Sequence, residues 1–348
     1  MAVIARAPLR ISLAGGGTDL PAYAERFGGL VISTSINRYV YTILTEAPSD
    51  TLQITAADSN SVLSRRDHLF DSALFWGDDY RLPIEIAQHF RLHGGRRVFL
   101  APEVPPGTGL GSSSATAVSM ITALAADAGT PMEPRAVAEL ACDIEIERLG
   151  MPIGKQDQYA SAFGGMNIFE FTADGTTVTP VCLPPATLAA LEERILLFFT
   201  GQRRRSTDIL NAQRSATERS GSATLEALHD IKACARAMIQ LLNRGELDHI
   251  GYLLDESWRR KRALAPGVST PDIDRWYDEA RGAGASGGKI TGAGGGGFLM
   301  LYSDTRYRQQ VIQRMSELGL VWVDTGFDQD GASILLSESS TATLANAL

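Results

Sequence analysis

The chain has 348 residues, of which 44% are hydrophobic and 21% are charged. This length predicts about two domains with a core large enough to need no disulfide or metal, and the composition excludes a disordered chain. Lysine and arginine total 32 against 40 aspartate and glutamate, and the resulting net charge of −8 argues against a general binder of nucleic acid or of anionic membranes.

Strands predominate in the first part of the chain. Alternating apolar residues, runs of β-branched residues and bounding glycines mark them. The predicted strand regions are 3–13, 30–45 (one strand or two), 97–101, 167–171 and 195–200. Two helices are predicted between the third and fourth of these regions, 114–128 and 134–149, the second with Pro134 as its first residue.

Helices predominate after residue 201. The predicted helices are 206–213, 223–243, 247–263, 271–283 and 306–318, and the predicted strands are 298–302, 319–323 and 333–336. The change falls near residues 185–205, with Pro184 and Pro185 as a candidate hinge. We therefore predict an N-terminal domain over 1–190 and a C-terminal domain over 191–348.

Three cysteines, Cys142, Cys182 and Cys234, are odd in number and widely spaced, which favours neither a disulfide framework nor a zinc site. Their apolar neighbours predict three small core residues in a protein of the reducing cytoplasm. Residues 1–9 lack the apolar core of a signal peptide, and the apolar stretch 115–128 is too short and too polar for a membrane span.

The strongest signal for chemistry is the segment 105–115, Pro-Pro-Gly-Thr-Gly-Leu-Gly-Ser-Ser-Ser-Ala. Its glycines let the backbone approach a ligand, and the helix that follows offers free N–H groups and a positive dipole end to a phosphate. It is neither a Walker A loop nor a Rossmann fingerprint. A flexible loop with a serine cap is the alternative. The residues predicted to bind the nucleotide are Pro106, Gly107, Thr108, Gly109, Leu110, Gly111, Ser112, Ser113 and Ser114.

Two carboxylates flank a Gly-Met-Pro turn. Glu145 lies near the end of a predicted helix, and Asp157 follows after the turn. If both face one pocket, they suit phosphoryl transfer, in which one carboxylate holds Mg²⁺ and another accepts a proton. A solvated acidic helix face is the alternative.

Two further segments are candidates for binding a phosphate or a sugar. The run 292–297, Gly-Ala-Gly-Gly-Gly-Gly, fits a backbone that passes close under a phosphate, or a plain connector. Arg10 is a permanent cation in an apolar strand, and Asp19 follows three glycines. The pair is either a buried structural ion pair or a phosphate-facing arginine and a sugar-binding carboxylate.

In this order the motifs resemble the GHMP family of small-molecule kinases, which includes galactokinase, homoserine kinase, mevalonate kinase and phosphomevalonate kinase. Segment 7–10, Ala-Pro-Leu-Arg, is similar to the first motif of that family, 105–115 to the second and 292–297 to the third. The resemblance implies an α+β fold of two domains, the first like ribosomal protein S5 domain 2 and the second ferredoxin-like. It also implies an ATP site and a substrate pocket between them.

Within the family the details resemble the sugar kinases. Segment 17–19, Gly-Thr-Asp, is similar to a galactokinase segment whose Asp binds sugar hydroxyls, and 154–158, Gly-Lys-Gln-Asp-Gln, to the segment that carries the catalytic Asp. Segments 10–21 and 154–159 are more similar still to kinases that phosphorylate C1 of a heptose 7-phosphate for surface polysaccharide. One departure matters: glycines 15–17 replace an acidic Gly-Glu-His of galactokinases, which disfavours galactose and leaves room for a longer or anionic sugar.

The resemblance implies roles residue by residue. Asp157 would be the base for the sugar hydroxyl, Glu145 and Ser113 would hold Mg²⁺, and Arg10 would neutralise charge on the transferred phosphoryl group. The predicted substrate-binding residues are Gly16, Gly17, Thr18, Asp19, Lys155, Asp157, Arg203, Arg205, Gly294 and Gly295.

The resemblance does not indicate which residues bind a phosphate group on the substrate. Lys155 and the run 203–205, Arg-Arg-Arg, are the candidates, and a solvated basic turn is the alternative for the run. The helical run 259–262, Arg-Arg-Lys-Arg, is interpreted as a solvated face, although Trp258 indicates that one side packs.

The leading hypothesis is a kinase that uses ATP and Mg²⁺ on a sugar phosphate and has no nucleic-acid or membrane partner; homo-oligomerisation is left open. A kinase for fucose or a galactose derivative is the first alternative. The second is a non-catalytic sensor that binds sugar and ATP. Such a sensor should have lost the base or the metal ligand, whereas Glu145, Asp157 and Ser113 are all present.

Overall fold

The computed structural model describes residues 2–57, 61–65, 80–92, 94–202, 206–219 and 221–338. It has the predicted α+β character, with helices packed on two separate sheets. The predicted strand and helix regions within these ranges all contain elements of the predicted type, with ends that differ by a few residues.

The larger sheet has eight strands in the order β12-β1-β2-β5-β3-β4, with β6 paired to β2 and β7 paired to β6. Its strands are β1 (Val3–Ala14), β2 (Gly29–Glu46), β3 (Leu52–Ala56), β4 (Ser61–Arg65), β5 (Arg96–Pro102), β6 (Met166–Thr172), β7 (Gly175–Pro180) and β12 (Ser333–Ser337). Neighbours are antiparallel, except that β3 and β5 are parallel. The last strand thus returns to pair with the first.

The smaller sheet is antiparallel in the order β11-β8-β10-β9. Its strands are β8 (Ile195–Phe199), β9 (Ala285–Ile290), β10 (Phe298–Ser303) and β11 (Val321–Val323). One apolar cluster contains Ile11 and Ile32 of the larger sheet together with Met300 of the smaller sheet. A second cluster contains Phe198 and Leu301 of the smaller sheet.

The helices cover and connect the sheets. They are α1 (Pro21–Phe27), α2 (Arg81–His89), α3 (Ser112–Asp127), α4 (Pro134–Cys142), α5 (Gln156–Phe163), α6 (Pro185–Arg194), α7 (Ser206–Thr217), α8 (Ala223–Arg244), α9 (Ile250–Arg262), α10 (Pro271–Gly282) and α11 (Arg308–Glu317). Short 3₁₀ turns cover Leu247–His249 and Thr305–Tyr307, and a π-helical turn, Asp143–Arg148, continues α4.

Two of these helices bring the sheets together. Helix α3 packs on β1 and β2, whereas α9 packs on β9 and β10 and also contacts β1. The end of β1 therefore lies beside elements of the smaller sheet, which creates the setting for a shared cleft. The predicted domain boundary at residue 190 lies within α6 and stays a prediction.

Some local predictions need correction. Helix α3 begins at Ser112 rather than at Ser114, because Gly111 takes a left-handed conformation (φ 80°) that allows the helix to start directly after it. Pro185 is the first residue of α6. Helix α5 was not predicted, because its eight residues begin with a polar Gln-Asp-Gln and show little apolar periodicity.

The prediction of three core cysteines holds for Cys142 and Cys234, which are buried, and is wrong for Cys182, which is exposed. Within the described part of the chain, none of the helices is both long and apolar enough to cross a membrane.

Candidate active site

A cleft is lined jointly by elements of both sheets. The end of β1, the start of α3, the start of α5, the end of α9 and the end of β9 all contribute side chains to it. Residues of the glycine-rich segments 107–111 and 292–296 also line the cleft. The sequence motifs, the first and last of which are 282 residues apart from Arg10 to Gly292, therefore meet at one place.

Arg10 and Asp157 form an ion pair in this cleft. Arg10 is 2% exposed, and its Nε donates to Oδ1 of Asp157 at 2.7 Å. Its Nη1 donates to the carbonyl oxygen of Gly109 at 2.8 Å. Asp157 lies in the first turn of α5, where the helix dipole favours a negative charge. The guanidinium thus ties the carboxylate to the glycine-rich loop, and an Arg10–Asp19 ion pair is not formed.

The two glycine-rich loops pack backbone against backbone. A Cβ added to Gly109 would lie 2.6 Å from the carbonyl oxygen of Thr291, and one added to Gly292 would lie 2.5 Å from Cα of Gly109. Gly109 and Gly292 also have positive φ values of 82° and 62°. Both sites therefore need glycine, and segment 292–297 is more than a plain connector.

The residues predicted to bind the nucleotide fall into two groups. Six of them line the cleft: Gly107, Gly109, Gly111, Ser112, Ser113 and Ser114. The other three do not: Thr108 and Leu110 are buried, and Pro106 is exposed outside the cleft. The Thr108 hydroxyl donates to the carbonyl oxygen of Pro105 at 2.8 Å, so it holds the loop's shape.

Glu145 and Ser113 are in contact. The Ser113 hydroxyl donates to Oε1 of Glu145 at 2.8 Å, and Nε2 of Gln158 donates to Oε2 at 2.7 Å. Glu145 is fully buried, so the solvated-face alternative is wrong for it. It lies in the π-helical turn, a distortion often found at functional sites.

Burial raises the pKa of Glu145 to about 7, against the opposing effect of hydrogen bonds from Ser114, Ser113 and Gln158. A carboxylate and a hydroxyl are ligands that Mg²⁺ prefers, and a bound cation would compensate the buried charge. No cluster of three His, Cys, Asp or Glu side chains with metal-binding geometry occurs among the described residues. A magnesium ion on Glu145 and Ser113 would therefore draw its other ligands from phosphate oxygens and water.

Asp19 is buried in the same cleft as Asp157. Its Oδ1 accepts from the Gly17 amide at 2.9 Å and from Nε2 of Gln156 at 3.2 Å, and its Oδ2 accepts from the Gln156 amide at 3.2 Å. Burial, together with the nearby charge of Asp157, raises the pKa of Asp19. A side chain at Gly154 would overlap this carboxylate, which explains the glycine there.

The predicted substrate-binding residues are only partly brought together. Those that line the cleft are Gly16, Gly17, Asp19, Asp157 and Gly294. Thr18 is fully buried and its hydroxyl bonds to backbone groups of Gly15 and Leu30, so the structure gives it a structural position. Lys155 and Gly295 do not line the cleft. Arg203 and Arg205 lie outside the described residues.

Two lysines in the cleft were not predicted. Lys261 belongs to the run 259–262 that was interpreted as a solvated face; its neighbours Arg259, Arg260 and Arg262 are exposed, but Lys261 points into the cleft. Its position three residues after the buried Trp258 was an available signal, since residues three apart share a helix face. Lys289 is 4% exposed in β9, and a lone lysine just before a glycine run was its only signal.

Comparisons with known proteins agree with these motifs. The models for the GHMP kinases N terminal domain and the GHMP kinases C terminal match residues 81–165 and 238–319. A D-glycero-alpha-D-manno-heptose 7-phosphate kinase from Campylobacter jejuni is 33% identical, with 93% of this chain and 96% of that protein covered.

Two further similarities are more distant. A crystal structure of a D-glycero-D-manno-heptose 1-phosphate kinase from Bacteroides thetaiotaomicron has a TM-score of 0.78 and 28% identity, and covers 97% of this chain and 100% of its own. A bifunctional fucokinase/GDP-fucose pyrophosphorylase from Arabidopsis thaliana is 25% identical over 89% of this chain, which spans only 31% of that protein.

Proposed function

This chain belongs to the GHMP kinases, and we propose that it transfers the γ-phosphoryl group of ATP to the C1 hydroxyl of D-glycero-D-manno-heptose 7-phosphate. The product would be the 1,7-bisphosphate, a precursor of nucleotide-activated heptose for surface polysaccharide, made in the cytoplasm. The observation that carries the proposal is the Arg10–Asp157 ion pair, held against the glycine-rich phosphate loop and beside the Ser113–Glu145 contact.

The proposed reaction exchanges one phosphorus–oxygen bond for another. The C1 oxygen of the sugar attacks the γ-phosphorus of ATP, and the bond from that phosphorus to the bridging oxygen breaks to release ADP. Asp157 accepts the proton of the C1 hydroxyl. Arg10 keeps a permanent positive charge beside the group in transfer, in a water-poor site where that charge acts strongly.

Glu145 and Ser113 would hold Mg²⁺, which neutralises the phosphate oxygens of ATP when bound. Gln158 fixes the second oxygen of Glu145, so that Oε1 faces Ser113. Ser112, Ser113 and Ser114 line the cleft at the start of α3 and offer hydroxyls and free amides to the phosphates.

Asp19, Gly16 and Gly17 are the proposed sugar contacts. The carboxylate of Asp19 is aimed by three hydrogen bonds, and the two glycines keep side chains out of the space beside it. Gly294 contributes backbone to the opposite wall. For the substrate phosphate, Arg203 and Arg205 remain predictions from the sequence, as does Lys155.

The names of the two heptose kinases differ in the phosphate that the substrate already carries, at C7 in one and at C1 in the other. Phosphorylation of the 7-phosphate at C1, or of the 1-phosphate at C7, leads to the 1,7-bisphosphate in both cases. We favour the 7-phosphate, because the relative named for it is the more similar in sequence, at 33% against 28% identity.

The test is ATP turnover with Mg²⁺ on heptose 7-phosphate, heptose 1-phosphate, fucose, galactose and mevalonate. We expect turnover on heptose 7-phosphate and little on the others. Turnover on fucose alone would favour the similarity to the fucokinase and refute the proposed substrate. No turnover on any of them, with ATP and sugar still bound, would favour the sensor.

The proposed base is tested by Asp157→Asn. Loss of proton transfer should lower kcat about 10²- to 10⁴-fold with little change in the KM for ATP. The matched control is Asp248→Asn, which removes a carboxylate from the exposed Arg194–Asp248 ion pair and should leave kcat unchanged. Near-normal turnover by Asp157→Asn would show that another group takes the proton.

A further inference from the structure

Two ammonium groups in the cleft, those of the half-buried Lys261 and the buried Lys289, have only backbone partners among the described residues. Nζ of Lys261 donates to the carbonyl oxygens of Ile290, at 2.8 Å, and of Gly292. Nζ of Lys289 donates to the carbonyl oxygen of Leu13 at 3.3 Å. Among the residues that the structure describes, neither lysine is ion-paired with a carboxylate.

This arrangement is unfavourable without an anion. Burial lowers the pKa of Lys289 well below its usual range, and the nearby charges of Lys261 and Arg10 lower it further. Arg10 is paired with Asp157, and Asp19 is the carboxylate whose charge also acts on Lys261. Two lysines without an ion pair therefore share this cleft, whereas a buried charge is normally retained only when it is paired. An ammonium group has three N–H donors, so one on Lys261 and two on Lys289 are left for a ligand.

The hydroxyl of Ser12 in the same cleft also lacks a partner. Ser12 lines the cleft, is 7% exposed, and its Oγ has no hydrogen-bond partner among the described residues. It lies one residue before Leu13, whose carbonyl oxygen accepts from Lys289. An unpartnered buried hydroxyl and an unpaired ammonium that line one cleft point to a common ligand.

We propose that Lys261, Lys289 and Ser12 bind the phosphate group that the sugar substrate carries. The inference rests on the proposed function in one respect, namely that the substrate is phosphorylated. The proposed function assigns the phosphates of ATP to the glycine-rich loop and the start of α3; Lys261 also lies near that loop, because its partner Gly292 packs on Gly109. Ser12 and Lys289 instead flank the end of β1, from which the chain passes through the glycine run to Asp19, the proposed sugar contact.

The experiment compares Lys261→Met, Lys289→Met and Ser12→Ala with wild type. The methionine variants keep the side-chain length and remove a buried charge, so they should fold. The matched control is Arg260→Met, which removes an exposed cation of α9 that pairs with Asp230 and Glu256. Measured are the KM for heptose 7-phosphate, the KM for ATP, and calorimetric binding of heptose 7-phosphate without ATP.

We expect each lysine variant to raise the KM and the dissociation constant for heptose 7-phosphate about 10- to 100-fold, the range of a lost charge-assisted hydrogen bond, and Ser12→Ala to raise them less. The KM for ATP should stay nearly constant. The preference of the enzyme for the phosphorylated over the unphosphorylated heptose should fall by the same factor.

Three results would overturn the inference. A rise in the KM for ATP alone would assign the lysines to the nucleotide. Parallel rises in the KM for ATP and the KM for heptose 7-phosphate would show that the lysines support the loops. Unchanged KM values would exclude the lysines from the substrate site. If wild type itself fails to use heptose 7-phosphate, the proposed function fails instead, which is distinguishable because the inference is judged only against an active wild type.

Discussion

Raising the pH from 7 to 9 should stabilise the folded protein through Lys261. In the folded state, burial and the nearby charge of Arg10 lower the pKa of this lysine from 10.5 to about 7, with Asp19 acting in the opposite direction. In the unfolded chain the ammonium is hydrated and its pKa is the ordinary one. Between these two values the unfolded state binds more protons, so the free energy of unfolding rises with pH.

The size of the effect follows from the two pKa values. One proton of difference changes the free energy of unfolding by about 1.4 kcal/mol per pH unit. Because Lys261 is about half protonated in the folded state at pH 7, its contribution between pH 7 and pH 9 is about 2 kcal/mol. Lys261→Met should lose this increase and should be more stable than wild type at pH 7.

The assay is urea unfolding at pH 7, 8 and 9, followed by tryptophan fluorescence, to which the buried Trp258 of α9 contributes. Groups that titrate in this range and do not interact with Lys261 are common to both proteins. The difference between wild type and Lys261→Met therefore reports Lys261 together with its effect on Lys289, whose pKa the charge of Lys261 also lowers. Arg260→Met should keep the wild-type slope. Equal slopes for wild type and Lys261→Met would refute the buried, unpaired state of Lys261. Saturating heptose 7-phosphate should flatten the wild-type slope, because a bound phosphate keeps the ammonium protonated.

Two further changes test the loop and the metal site. Glu145→Gln should raise the Mg²⁺ concentration for half-maximal activity by at least about tenfold, because a charged ligand is lost; a magnesium titration with an unchanged midpoint would exclude Glu145 as a ligand. Gly109→Ala should cost at least about 1–2 kcal/mol through its left-handed backbone alone, and its Cβ would also press on Thr291, 2.6 Å away. Lower melting temperature and higher KM for ATP are expected for Gly109→Ala, whereas Gly282→Ala, with nothing within 4 Å, should show neither; equal behaviour of the two variants would contradict the close packing of the loops.

Features carried by short stretches of sequence could be predicted. The strand from Val3, the glycine-rich loop and the helix after it are each encoded by neighbouring residues, through alternation, positive φ values and free helix amides. Asp157 and Glu145 became a candidate pair because they flank a turn, and their roles were implied by the resemblance to the GHMP kinases. The sequence by itself therefore determined the class of chemistry, and the residues proposed to perform it stay predictions.

Which side chains share the cleft was decided by the tertiary structure. Arg10 pairs with Asp157, 147 positions away, rather than with the nearer Asp19, because β1 and α5 meet beside the glycine-rich loop. In the run 259–262, only Lys261 faces inward, because α9 docks on β9 along the side that carries Trp258. The pattern of charges along a chain does not reveal which of four adjacent cationic side chains is removed from solvent. That depends on the packing of elements far apart in sequence, and burial then determines the protonation and the ligand that each group can bind.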